Sequence, residues 1–170
     1  MLDVSRHFFT KQEVKRFIDL MAEYKYNVFH WHLSDDQGWR VEIKSLPRLT
    51  DVGAWRAPRV GNWWEREPQS VTDSLTYGGF YTQDDIREVV EYARERFITV
   101  VPEIDVPGHS MALLTAYPEI SCTGGPFHVN VGNTFYTKEE NSLCVGKEKT
   151  FAILDMIFDE LVDLFPSSYI

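Results

Sequence analysis

Apolar and polar positions along this chain switch between two periods. Met1 to Ser5 reads as a short β-like run, Asn27 to Leu33 as a second and Ile98 to Ile104 as a third. Between them the spacing turns helical. Val14, Phe17, Ile18 and Met21 recur at i, i+3, i+4 and i+7, behind Thr10 and Glu13 at capping-box spacing. Thr82 and Asp85 repeat that signal ahead of Ile86, Val89, Val90, Ala93 and Phe97. Thr150 reads as the cap of a third helix carrying Leu154, Ile157, Phe158, Leu161, Val162 and Phe165, with Pro166 as its stop. Ser168-Tyr169-Ile170 reads as the beginning of a fourth strand. The order β-α-β-α-β-α-β predicts an α/β fold built on a parallel sheet.

The connections are unequal. Helix-to-strand links are short, whereas two strand-to-helix links are long, from Ser34 to Tyr81 and from about Asp105 to Lys149. In a parallel sheet all strand-to-helix links lie on one face, and barrels and doubly wound sheets build their sites there. Three strand ends on that face carry polar residues: Arg6 and His7 after the first, Ser34-Asp35-Asp36-Gln37 after the second, and Glu103, Asp105 and His109 around the third. Pro107-Gly108 is a turn signal that would fold His109 back over the strand ends. Arg6, Asp35 and His109 are therefore candidates to share one pocket. An Asp that accepts an imidazole N–H fixes the tautomer of the ring, a task open to Asp105 as well as to Asp35.

Composition narrows the function. The 170 residues are 44% hydrophobic and 14% aromatic, which is enough apolar material for one domain's core. Lys and Arg number 17 against 26 Asp and Glu, a net charge of −9 that disfavours nucleic acid and anionic membranes as partners. No apolar run approaches the roughly 18 residues of a membrane span, and Met1-Leu2-Asp3-Val4 opens like a strand rather than a signal peptide. All five tryptophans, Trp31, Trp39, Trp55, Trp63 and Trp64, fall in one stretch that Tyr77, Phe80 and Tyr81 extend. Such rings either stack on sugar faces or fold the long loop into a small core of its own. His30 and His32 share one side of their strand, so a metal site on His30, His32 and His109 is an alternative reading. Cys122 and Cys144 form a bridge in an exported protein or two thiols in a cytosolic one.

Four stretches carry a resemblance: Leu2-Asp3-Val4-Ser5-Arg6-His7-Phe8, Asn27 to Arg40 with its core His30-Trp31-His32-Leu33-Ser34-Asp35-Asp36-Gln37-Gly38-Trp39, Gly79-Phe80-Tyr81-Thr82, and Pro102 to Ser110. In order and spacing they resemble the β-N-acetylhexosaminidases of glycoside hydrolase family 20. The resemblance implies a (β/α)8 TIM barrel that removes terminal N-acetylglucosamine or N-acetylgalactosamine from β-linked glycans. It implies no cofactor and no metal, and a carbohydrate as the partner. The chemistry is substrate-assisted: the sugar's own acetamido oxygen attacks the anomeric carbon. By similarity Arg6 holds sugar hydroxyls, and Asp35 and His109 form a supporting pair with Asp105 behind His109. The family's catalytic Asp-Glu pair follows its fourth strand in a motif like His-x-Gly-Gly-Asp-Glu. The 170 residues do not contain it, and Asp159-Glu160 falls inside the third helical pattern, where it reads as a solvated face. The expectation is thus that residues 1–170 are one partial barrel domain, comprising strands one to three, their helices and the start of strand four, and that it is inactive alone. Its parent is expected to be an exported protein, periplasmic, surface-bound or secreted. A non-catalytic glycan-binding module and the His30/His32/His109 metallohydrolase are the competing readings.

Overall fold

The structure is a computed structural model that describes residues 1–132 and 141–170. In chain order its elements are β1 (Leu2–Asp3), α1 (Lys11–Glu23), β2 (Val28–Asp35), β3 (Gly38–Trp39), α2 (Arg48–Asp51), β4 (Trp55–Arg56), β5 (Tyr77–Gly78), α3 (Gln83–Arg94), β6 (Thr99–Ile104), α4 (Met111–Ala116) and α5 (Glu148–Leu164). β1 and β6 flank β2, both parallel to it, with Asp3 opposite His32 and His32 opposite Glu103. β3 folds back antiparallel on the end of β2.

β2 is the hub because its alternation serves two layers at once. Phe29, Trp31 and Leu33 are fully buried in a core to which Val14 and Ile18 of α1, Ile86 and Val89 of α3, and Ile157 and Leu161 of α5 also belong. Phe17 meets the Phe29 ring at 5.7 Å, and Tyr81 meets Trp31 at 4.8 Å. The intervening residues His30, His32 and Ser34 lie on the other side of the strand. Both expected capping boxes form: the Thr10 hydroxyl accepts from Glu13 N–H, and the Thr82 hydroxyl from Asp85 N–H at 3.1 Å. Lys11 then ties α1 to Asp85 and Glu88 of α3.

Several expectations need correction. The first strand is shorter than Met1 to Ser5, because the Asp3 carboxylate accepts from the N–H groups of Ser5 and Arg6 and turns the chain. Thr150 does not cap α5. Lys147 holds that position, and the buried Thr150 hydroxyl donates 2.8 Å to the carbonyl of Cys144. The buried stripe of α5 runs through Ile153, Ile157, Leu161 and Leu164, while Val162 is exposed. Phe97 lies beyond the end of α3 at φ 59° with its side chain in solvent. Ser168-Tyr169-Ile170 forms no strand. Glu160 does not sit on a solvated face; it accepts from the N–H groups of Lys44 and Ser45 and from the Gln83 side chain, docking α5 on the loop after β3.

The long loop after β2 has structure of its own. It holds β3, α2 and the β4–β5 hairpin, and Tyr81 N–H returns to the carbonyl of Arg40 at 2.8 Å. Trp31 and Trp39 are core residues, Trp55 is half-buried and Trp64 is exposed. The side chain of Trp63 lies outside the described residues. The loop after β6 is closed by a disulfide between Cys122 and Cys144, with Cα atoms 4.8 Å apart. On the chain-entropy account, closing a loop of this size stabilises by about 3 kcal/mol. Reduction under native conditions is therefore expected to lower the thermal midpoint by several degrees. A midpoint that does not move in dithiothreitol would show that the bridge adds nothing to stability.

Candidate active site

The site forms where β1, β2 and β6 end on the same side of the sheet. Asp35, the last residue of β2, is its centre, with a side chain fully out of solvent. Arg6, placed by the turn after β1, reaches Asp35 Oδ2 with Nη2 at 2.5 Å. It also donates through Nε to Gln37 Oε1 at 2.9 Å and through Nη1 to Asp3 at 2.8 Å. His32 Nε2 lies 3.0 Å from Asp35 Oδ2, and Asp36 N–H donates to Oδ1 at 2.7 Å. His109 Nδ1 meets Oδ1 at 3.1 Å. Arg6, Asp35 and His109 thus come together from three separate strand ends.

The position of His109 is enforced by its surroundings. It has φ 52°, a left-handed conformation that costs a residue with a Cβ about 1 kcal/mol. The Ser110 hydroxyl donates to the carbonyls of Pro107 and Gly108, and Ser110 N–H donates to the carbonyl of Asn141. Asp36, fully buried, accepts from Met111 N–H at the start of α4 and comes within 3.6 Å of His109 Nδ1. The turn is therefore fastened both to the β2–β3 hairpin and to the chain just before Cys144.

Charge runs through the site as a chain. Glu103 contacts His30 Nε2 and lies 2.8 Å from His32 Nδ1, so His32 stands between two carboxylates. Burial alone would lower the proton affinity of His32, but its bonds to Asp35 and Glu103 outweigh that and push its pKa up to about 9. His32 is a cation at neutral pH. Burial works to raise the pKa of Asp35, yet His32, the Arg6 charge and the Asp36 N–H together hold it below the usual carboxylate range. Asp105 is pushed upward by burial and by the neighbouring Asp35 charge. Its N–H donates to the Ser34 hydroxyl at 3.0 Å. The carboxylate of Asp105 groups with His32 and Glu103 and also interacts with the charge of His109, while Asp35 makes the expected contact at His109 Nδ1.

Among the described residues two groups bring metal-type ligand atoms within 4.8 Å: His32, Glu103 and Asp105, and Asp35, Asp36 and His109. The expected set of three histidines does not converge. His30 turns to Glu103, His32 lies between Glu103 and Asp35, and His109 turns to Asp35. The oxygens of Asp35 are already shared among Arg6, His32, His109 and a backbone N–H.

Sequence reasoning missed the supporting roles of Asp36 and Gln37. Their only signal was their place in the run Ser34 to Gln37, since a carboxylate that accepts from the start of α4 has no local signature. Arg40 was also missed. It is wholly buried beneath the site, and Gly38 is glycine because a Cβ there would lie 2.3 Å from the Arg40 guanidinium carbon.

Comparison with known proteins identifies the family of the chain. The sequence profile of the catalytic domain of glycosyl hydrolase family 20 matches residues 1–170. A β-hexosaminidase of Vibrio furnissii is 48% identical over 170 residues, covering all of this chain and 27% of its own length. A β-hexosaminidase of Porphyromonas gingivalis is 44% identical, covering 99% of this chain and 20% of its own. The β-N-acetylhexosaminidase structure from Streptomyces coelicolor superposes with a TM-score of 0.83 at 44% identity, over 98% of this chain and 30% of that one. A mutant Streptomyces plicatus β-hexosaminidase, solved with its product GlcNAc, gives 0.82 at the same identity and the same coverage of both chains. This chain thus spans about a fifth to a third of the length of these relatives, and its parallel β-α units are those of the first part of a TIM barrel. It belongs to glycosyl hydrolase family 20.

Proposed function

We propose that the chain is the N-terminal part of the catalytic barrel of a β-N-acetylhexosaminidase, which releases terminal N-acetylglucosamine or N-acetylgalactosamine from β-linked glycans with retention of configuration. The observation that carries the reading is Asp35, buried and held in common by Arg6, His32 and His109 at the carboxyl ends of the strands. In this reading the accessible edge of Arg6, one third exposed, binds hydroxyls of the terminal sugar. Its other donors are fixed by Asp3, Gln37 and Asp35, so the guanidinium is oriented before substrate arrives. Asp35 and His109 form a supporting pair whose imidazole reaches toward the general acid, and Asp105 tunes the charge around them. Glycans bearing a terminal N-acetylhexosamine are the partner.

The bond-making groups of the mechanism come from elsewhere. The substrate's acetamido oxygen attacks the anomeric carbon and the leaving oxygen takes a proton from a carboxylic acid; water later opens the cyclic intermediate. Asp159 and Glu160 of α5 cannot serve, since Glu160 is engaged with the loop after β3. The 170-residue chain alone is therefore expected not to cleave an aryl β-N-acetylglucosaminide, whereas the full-length protein containing it is expected to do so. Cleavage by the purified 170-residue chain that Arg6→Ala abolishes would overturn the mechanism. A full-length protein inert toward the same glycoside would overturn the assignment.

A further inference from the structure

His30 and His32 lie on the strand that carries the site, yet the mechanism gives neither a task. The same holds for Glu103, which β6 places opposite His32. Register partners on neighbouring strands point to one side of the sheet, so the carboxylate and both imidazoles meet there. Glu103 Oε2 contacts His30 Nε2 and lies 2.8 Å from His32 Nδ1. One carboxylate oxygen is thus set against two rings, that of His30 half-exposed and that of His32 buried. The contact with His32 is an ion pair rather than a straight hydrogen bond, since Nδ1 meets no acceptor in line. Burial works to raise the pKa of Glu103, but the two histidines hold it below the ordinary value.

The opposite edge of the His32 ring works on the site. His32 Nε2 is 3.0 Å from Asp35 Oδ2, the oxygen that Arg6 Nη2 also reaches, and Arg6 Nη1 comes within 3.2 Å of that nitrogen. Asp35 Oδ1 serves His109 and the Asp36 N–H. The place of the Asp35 carboxylate therefore depends on the ring beside it, and the places of Arg6 and His109 depend on that carboxylate. A ring held at one nitrogen alone can swing. Held at both it cannot turn over, because a flip puts carbon where each nitrogen stood. Among the described residues Glu103 is the group that faces the far nitrogen. We propose that Glu103, braced by His30, is a positioning residue that holds the His32 ring against Asp35 and through it sets Arg6 and His109 for the reaction. The inference rests on the hexosaminidase reading and adds a residue to it. It also gives the His30-x-His32 spacing a use, since strand alternation brings both rings to one carboxylate.

The test compares the full-length wild-type protein, Glu103→Gln, Asp35→Asn and the double variant on an aryl β-N-acetylglucosaminide, with thermal midpoints measured alongside. Glutamine keeps the size of the side chain and removes its charge. Glu103→Gln is expected to lower kcat by about tenfold and to leave KM within about twofold, as for a contact that matters only in the transition state. Added to Asp35→Asn it should cost less than about twofold more, because the chain of contacts is already broken at its centre. His30→Gln should lower kcat by about threefold through the same route, and its cycle with Asp35→Asn decides the matter if Glu103→Gln does not fold. A wild-type kcat in Glu103→Gln overturns the positioning role, and so does a loss that adds in full to that of Asp35→Asn. A lowered thermal midpoint with unchanged kinetics also overturns it, since that is the mark of a purely structural residue. Wild-type protein inert toward the glycoside overturns the hexosaminidase reading and the assignment of Glu103 with it.

Discussion

Asp35→Asn in the full-length protein is expected to lower kcat by about a hundredfold or more, with a smaller rise in KM. The carboxylate anchors Arg6, His32 and His109 together. Losing one preorganised charged partner in a site of this kind typically costs 10²–10³ in rate, or about 3–4 kcal/mol. His109→Ala should cost a similar amount, and the double variant little more than the worse single, because the two act as a unit. Fully additive losses, or a change in KM alone, would refute the shared role. His32 supplies an independent readout. Its pKa of about 9 depends on Asp35, so in Asp35→Asn the NMR titration of its ring should move down toward the ordinary value near 6.5. The sign of the pH dependence follows. The stability contributed by protonated His32 is fully present below pH 6.5 and is lost as the pH rises through about 9. That of ionised Asp35 is present above its unfolded value and is lost as the pH falls through its depressed folded value.

Arg40→Met is expected to leave the protein largely insoluble or unfolded at 37 °C. Arg40 has no carboxylate partner among the described residues. It donates instead to carbonyls of Val4, Ser5, Ala54 and Gly79 at 2.6–3.0 Å, and more weakly to Gln37 at 3.4 Å. Burial lowers its pKa to about 10, so it is still charged at neutral pH. One side chain thus fastens the end of β1, the β2–β3 turn and both sides of the β4–β5 hairpin. Methionine fills comparable space but strands those carbonyls, at about 1–3 kcal/mol for each that water cannot reach. Even two such losses consume a large part of a typical 5–15 kcal/mol stability. Arg40→Lys should fall between, since an ammonium keeps the charge but not the planar fork. Denaturant midpoints of the soluble fractions give the comparison, and a wild-type midpoint in Arg40→Met would disprove the fastening role.

The parts of this molecule that could be read from the sequence are those with local causes. Thr10 with Glu13 and Thr82 with Asp85 act within four residues, so α1 and α3 were legible. The paired periods of β2 and α1 predicted the parallel sheet, and the sheet brought Arg6, Asp35 and His109 to one face. What escaped reading has distant causes. Thr150 resembles a cap, yet its hydroxyl serves the carbonyl of Cys144. Glu160 looks solvated until the loop at Lys44 and Ser45 folds over it. Arg40 is hidden because a buried guanidinium satisfied by carbonyls leaves no acidic partner to find.

β2 carries the helix-facing core on Phe29, Trp31 and Leu33 and the site on His30, His32 and Ser34. Its length is therefore constrained more tightly than the identity of either set. Adding or removing one residue inside the strand would exchange the two sides, sending aromatic rings toward the candidate site and histidines among the helices. A conservative swap disturbs one layer, whereas a single-codon indel would disable both. Length variation has to be absorbed past Asp36, in the long loop that carries the β4–β5 hairpin, where chain can be gained or lost without reversing the strand beneath it.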